Sequence, residues 1–154
     1  MIIKEINDKE EKIEILESIL KFLLDWFGVQ ESKQDFICAS SDLPFFAAID
    51  ESRPLGFIAI KENNPYTAEI YIMGVIPDYH RQGIGRALID SVISWAKERE
   101  YEFLQVKTLD ESHPDPYYAR TRKFYRSVGF KPLECLPELW GRENPCLIMI
   151  QHIS

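Results

Sequence analysis

Two glycines, Gly83 and Gly85, follow the apolar run YTAEIYIMGVI (66–76) and the break at Pro77, and stand just before a segment with helical spacing. Side chains at such positions hold a backbone away from a bound group. Glycine lets successive amides point into one concavity at a helix N-terminus, where unpaired donors and the helix dipole favour an anion, phosphate above all. A tight structural turn accounts for the pair equally well. No Lys-Ser/Thr pair completes a nucleotide P-loop, and Leu88 fills the third position of a dinucleotide GxGxxG. What the two glycines leave is a diphosphate bound outside those motifs. Within the preceding run, Gly74 marks a bulge or a close backbone approach. Glu69 puts a carboxylate into the same apolar strand, which is costly unless the group is paired or solvated, and partial burial makes it a stronger base.

The elements that must position these residues can be read in order. Residues 2–6 form a short strand, and Asn7 or Asp8 caps a helix whose apolar face is Ile13, Leu16, Ile19, Leu20, Leu23 and Phe27. Trp26 lies near its end, packed or facing a ligand, and residues 30–42 read as a loop or a second short helix. Strands at 45–49 and 55–60 make a hairpin, and a turn at Glu62, Asn63, Asn64 and Pro65 leads into the third strand, 66–76. A helix over about 82–99 turns Ile84, Leu88, Val92, Trp95 and Ala96 to one side, and the next strand, 102–108, closes a parallel crossover. Asp115 and Pro116 start a helix over 116–128, Gly129 ends it, and two closing strands follow. The expected class is α/β (α+β mixed): one domain over 1–154, with a mixed, largely antiparallel sheet of six to seven strands flanked by about four helices.

Composition narrows the function. At 154 residues the chain is the size of one ordinary domain, and no apolar run approaches the ~20 residues of a membrane span. The N-terminus lacks a basic segment followed by a long apolar one, so a cytoplasmic protein is expected. Cys38, Cys135 and Cys146 show no CxxC spacing, so neither a disulfide framework nor a metal site is expected. A formal charge of -7 disfavours a nucleic-acid binder and suits a cationic or amine-bearing partner.

The segment VIPDYHRQGIGRALID (75–90) resembles the acyl-coenzyme A binding motif of the GNAT superfamily of N-acetyltransferases. That pattern, Arg/Gln-x-x-Gly-x-Gly/Ala, falls on His80, Arg81, Gln82, Gly83, Ile84 and Gly85, with His80 where the family most often has Arg or Gln. FYRSVGF (124–130) is similar to the family's late helix ending in Tyr-x-x-x-Gly-Phe. The resemblance spans nearly the whole chain from the first helix onward and implies the GNAT fold. It also implies a site for acetyl-coenzyme A as co-substrate, with no metal. The pantetheine arm would lie along the backbone of Met73, Gly74 and Val75, and the diphosphate would be held by Arg81, Gln82, Gly83, Ile84, Gly85, Arg86 and Ala87.

The same resemblance distributes the chemistry of acyl transfer, which needs a neutral amine, a stabilised oxyanion and a proton for the departing thiolate. Tyr125, four residues before Gly129, takes the place of the family's leaving-group acid, and a phenol is protonated at neutral pH. Glu69, fourteen residues before Gly83, has the spacing of the glutamate that deprotonates the amine in histone-type members, directly or through water. A backbone amide near Val75 would serve the oxyanion. Tyr118 stands where many members carry a cofactor-contacting Asn, and His113 could line the acceptor site or act as base. Arg120, Arg122, Lys123 and Arg126 read mostly as a solvated basic face, one or two of them able to meet coenzyme A phosphates. The expected acceptor is a primary amine of a small molecule or peptide, entering near His113 and Trp140 and attacking directly in a ternary complex. No nucleic-acid or membrane partner is expected, and a homodimer is compatible. Two competing functions are a non-catalytic acyl-coenzyme A binding or regulatory module, and a nucleotide-binding protein.

Overall fold

A computed structural model describes residues 1–23 and 30–154. Seven strands form one sheet in the order β1-β2-β3-β4-β5-β7-β6. They are β1 (Ile2–Glu5), β2 (Phe45–Asp50), β3 (Arg53–Asn64), β4 (Thr67–Val75), β5 (Phe103–Leu109), β6 (Lys131–Leu136) and β7 (Cys146–His152). Among the described residues the helices are α1 (Lys9–Leu20), α2 (Gln30–Ser40), α3 (Ile84–Glu98) and α4 (Pro116–Ser127), with a 3₁₀ turn at Pro77–Tyr79. The architecture is thus mixed α/β, with a mostly antiparallel sheet. None of these helices is long and apolar enough to cross a membrane.

The chain divides into two compact units, Met1–Lys61 with Ile70–Trp95, and Glu62–Glu69 with Ala96–Ser154. In the first, α1 begins where the Asp8 carboxylate accepts the Glu11 amide at 3.1 Å. Ile15, Leu16, Ile19 and Leu20 then pack on Phe45, Ala47, Phe57 and Ala59 of the hairpin, with the Phe45 and Phe57 rings stacked 5.6 Å apart. The inward face of α1 is rotated from the expected one. Ile15 is buried, Ile13 is only partly so, and Lys12 is buried as well, its ammonium donating to the Leu43 carbonyl at 2.7 Å. A long lysine can lay its methylenes on the core and still satisfy its head group, which spacing alone does not disclose. Phe27 and Trp26 lie outside the described residues.

Residues 30–40 are helical throughout, which resolves the open choice in favour of the helix. The hairpin of β2 and β3 turns through Glu51 and Ser52, both left-handed, at φ 48 and 67. The expected turn at 62–65 is displaced: β3 runs on through Glu62, Asn63 and Asn64, and the reversal falls on Pro65 and Tyr66. Asn64 still does turn chemistry at the strand's end, its side chain accepting the Tyr66 and Thr67 amides at 2.8 and 3.0 Å.

In the second unit, β5 and β7 pair antiparallel in unbroken register from Phe103↔His152 to Leu109↔Cys146. β6 adds to β7 with a register slip between Pro132 and Glu134, and five of its six residues are exposed. α4 starts where Asp115 accepts the Tyr117 amide at 2.8 Å, with Pro116 at the first helical position. Gly129, at φ +107, ends that helix in the left-handed region as expected.

Candidate active site

The glycine loop belongs to the first unit. β4 ends at Val75, Ile76 donates its amide to the Leu55 carbonyl at 2.9 Å, and the 3₁₀ turn begins at Pro77. Arg53 secures that turn, donating to the Tyr79 hydroxyl and lying with its guanidinium carbon 5.1 Å from the Tyr79 ring centroid. His80 folds back, its Nε2 donating to the Val75 carbonyl at 2.8 Å. Arg81 then adopts φ 66 and Gly83 φ +81, after which α3 opens at Ile84 with the Ala87 amide on the Gly83 carbonyl at 3.0 Å. The helix therefore begins two residues later than spacing suggested. Arg81, Gln82, Gly83 and Arg86 are exposed, Gly85 and Ala87 half-buried, and Ile84 buried as the first inward residue of α3.

A methyl group at Gly83 would meet nothing within 4 Å, so the backbone there faces open space in a conformation that suits glycine. That is the form of a surface on which a diphosphate can approach successive amides, and the residues present fit coenzyme A. Gly74 is glycine for a different reason. A Cβ there would lie 2.6 Å from Leu23 Cδ1 and 3.1 Å from Phe57 Cε1, so the close approach is to core side chains. Gly56 on β3 is its counterpart, with the Gly74 carbonyl 3.1 Å from the site of a Cβ. Met73 and Val75, on either side of Gly74, are half-buried.

The second unit holds the candidate acid, base and late-loop residues. Tyr125 is buried on the inner face of α4, with Phe124 and Phe130 rings 5.6 and 5.7 Å from its own. Burial, followed by the adjacent Tyr117 and Tyr118, pushes its phenol well above the ordinary tyrosine range. It is therefore a neutral O–H donor at any working pH. Tyr118, half-buried, meets Tyr117 edge to face at 5.2 Å, and its phenol is pushed up by burial and then by Asp115. His113 is half-buried and accepts the Asp115 amide at Nδ1, 3.3 Å away, while Trp140 is exposed in the loop before β7. One basic residue of α4 departs from the solvated face: Arg122 is buried, and its guanidinium donates to the Leu109 carbonyl at 2.6 Å. The i, i+3 relation to Tyr125 puts both on the inward stripe.

Glu69 is 4% exposed and satisfied. Its carboxylate accepts from Asn63 Nδ2 and Gln105 Nε2, each at 2.8 Å, and pairs with Lys107 Nζ at 3.2 Å. Three partners thus surround the candidate base, Asn63 from the preceding strand and Gln105 and Lys107 from β5, and the sequence pattern marked none of them as a partner of Glu69. The signal available was the polar pair Gln105 and Lys107, two apart in an otherwise apolar strand and so on one face.

Solved structures share this mixed α/β fold. An aminoglycoside 6'-N-acetyltransferase complexed with coenzyme A superposes with a TM-score of 0.77, at 19% identity, over 100% of this chain and 98% of that one. The aminoglycoside 6'-N-acetyltransferase of Enterococcus faecium gives a TM-score of 0.80, at 21% identity, over 100% and 98%. Residues 13–130 match the acetyltransferase (GNAT) family, and the chain belongs to that family. An uncharacterized N-acetyltransferase of Methanocaldococcus jannaschii is 30% identical over 96 residues, 58% of this chain, and the match spans 40% of that protein's length.

Proposed function

We propose that the chain, working as one domain over 1–154, is a cytoplasmic N-acetyltransferase that moves an acetyl group from acetyl-coenzyme A to a primary amine of a small molecule or peptide. The observation that carries this reading is the left-handed, open Gly83 at the head of α3. Amides of that turn, with Arg81, Gln82, Gly85, Arg86 and Ala87, hold the diphosphate, and the backbone of Met73, Gly74 and Val75 receives the pantetheine arm. Tyr118 adds a contact in place of the family's Asn. Acetyl-coenzyme A supplies the acyl group already activated as a thioester.

Glu69, directly or through a water, takes the proton that stops the amine from attacking. The nitrogen then forms its bond to the acyl carbon while an amide near Val75 bears the oxyanion, and the carbon–sulfur bond breaks. Tyr125 gives its proton to the departing sulfur and regains one from the nitrogen through solvent or Glu69. One copy of the chain suffices, so a homodimer is compatible but not required. The formal charge of -7 favours a cationic acceptor, and the aminoglycoside-acting enzymes of like fold point the same way.

The test is calorimetric binding of coenzyme A together with thiol release from acetyl-coenzyme A in the presence of kanamycin, spermidine and an alanine-initiated peptide. Binding with turnover of at least one amine is expected. Binding without any turnover would favour the non-catalytic module, and thermal protection by ATP but not by coenzyme A would favour the nucleotide binder.

A further inference from the structure

The two oxygens of Glu69 are unequally occupied. Oε1 accepts from Asn63 Nδ2 and Gln105 Nε2 at 2.8 Å each and from Lys107 Nζ at 3.4 Å. Oε2 has, among the described residues, only Lys107 Nζ at 3.2 Å. The donors come from the end of β3 and from β5, and all belong to one compact unit. The further titratable neighbour is Cys146 on β7, whose thiol is pushed up to about 11 by burial, with Glu69 and Cys135 adding to the effect and Lys107 opposing it. That thiol is neutral at working pH, so the charge of Glu69 is balanced by Lys107.

Three donors on Oε1 fix the plane of the group, whereas Oε2 takes the ammonium of Lys107 at 3.2 Å and, among the described residues, no second donor. We infer that Lys107 is a positioning residue for Glu69: bridging Oε2 at 3.2 Å and Oε1 at 3.4 Å, it holds the carboxylate in place together with Gln105 and Asn63, and the remaining lone pair of Oε2 receives the proton of the acceptor amine. This rests on the reading of Glu69 as the base. In the step itself an N–H or water O–H bond breaks, an O–H bond forms at Oε2, and the electron pair stays on the donor atom.

The experiment has a ligand-free arm and a kinetic arm. Carbon-13 NMR of the Glu69 carboxyl carbon is followed against pH in the unsubstituted protein, Lys107→Met and Lys107→Arg. The pH dependence of kcat/KM is measured for the same proteins and for Glu69→Gln, with acetyl-coenzyme A and whichever of kanamycin or spermidine is turned over. Removing the cation makes the carboxylate easier to protonate, so both the titration midpoint and the acid limb should move up by about one pH unit or more in Lys107→Met and return in Lys107→Arg. A merely structural lysine would lower thermal stability and leave both midpoints in place, and that result overturns the inference. If Glu69→Gln keeps the acid limb of the unsubstituted protein, the reading of Glu69 as base fails instead, whatever the NMR arm gives. Should Lys107→Met fail to fold, Lys107→Gln, which keeps a polar end, makes the same comparison.

Discussion

The imidazole of His80 donates to the carbonyl of Val75 across 2.8 Å, tying the last residue of β4 to the loop that follows it. The bond makes a closed ring of the six residues between strand and glycine turn, and it gives His80 a role independent of any contact with a phosphate. His80→Ala should therefore loosen the loop and weaken coenzyme A binding by roughly fivefold, the equivalent of one ordinary hydrogen bond of about 1 kcal/mol. His80→Gln, which offers an N–H to the same carbonyl, should recover most of the loss. Isothermal titration calorimetry decides it, and an unchanged affinity in His80→Ala would remove the loop-closing role.

Gly83 combines a left-handed backbone with an open face, and the two properties can be separated. Alanine there should cost about 1 kcal/mol in stability, since an L side chain crowds its own carbonyl at positive φ. Asparagine tolerates that region better, so Gly83→Asn should recover much of the melting temperature. Both variants place atoms where a diphosphate must sit, and both should bind coenzyme A at least about tenfold more weakly, a difference of ~1.4 kcal/mol. Tight binding by Gly83→Asn would show that the open face is not the cofactor surface.

Gly74→Ala should behave in the opposite manner. The added methyl would lie 2.6 Å from Leu23 Cδ1 and 3.1 Å from Phe57 Cε1 inside the first unit, so both side chains must give way. Overpacking of this kind costs about 1–3 kcal/mol, which for a chain of this length is a fall of roughly 3–10 °C in Tm. Differential scanning calorimetry is the measurement, and a Tm within a degree of the unsubstituted protein would contradict the packing described.

Tyr125→Phe removes only the hydroxyl from a ring held by Phe124 and Phe130, so folding and coenzyme A affinity should be preserved. The rate should fall by about a hundredfold or more, the usual contribution of a positioned acid. Because burial raises the folded value of this phenol, and of Tyr117 and Tyr118, their contribution to stability is complete below the unfolded value near 10 and is lost as pH rises beyond it. Phenolate absorbance from this cluster should thus appear together with alkaline unfolding and not before it. Unchanged turnover in Tyr125→Phe would end its assignment as the acid.

Much of the fold was legible because its signals are local. The spacing of Leu16, Ile19 and Leu20, the Asp115-Pro116 start and the Gly129 stop each act within one turn of chain, and each element formed where those residues place it. The misplacements arose where a tertiary partner outweighed a local preference. Asn63 and Asn64 look like turn residues, yet Asn63 is drawn into β3 with its amide on Glu69, and Asn64 serves the turn from the strand's last position. Lys12 stands outside the apolar spacing of the first helix, yet the Leu43 carbonyl beside it lets it turn inward. The candidate site divides the same way. The glycine turn is a contiguous motif and could be read directly, whereas the clamp on Glu69 draws on residues 63, 105 and 107, and Arg122 finds its acceptor thirteen positions away at Leu109.

The slipped, exposed β6 bears on how the protein behaves when crowded. A sheet rim is a template on which another chain can be added, and repeated addition makes fibres. Here the rim carries Pro132, which has no amide hydrogen to offer, a register slip beside it, and the charges of Lys131 and Glu134. At the other rim β1 is four residues long and ends in Lys4 and Glu5. Both rims are poor templates for a visiting strand, so a concentrated solution of this chain is protected against sheet-by-sheet polymerisation by the same residues that give β6 its irregular shape.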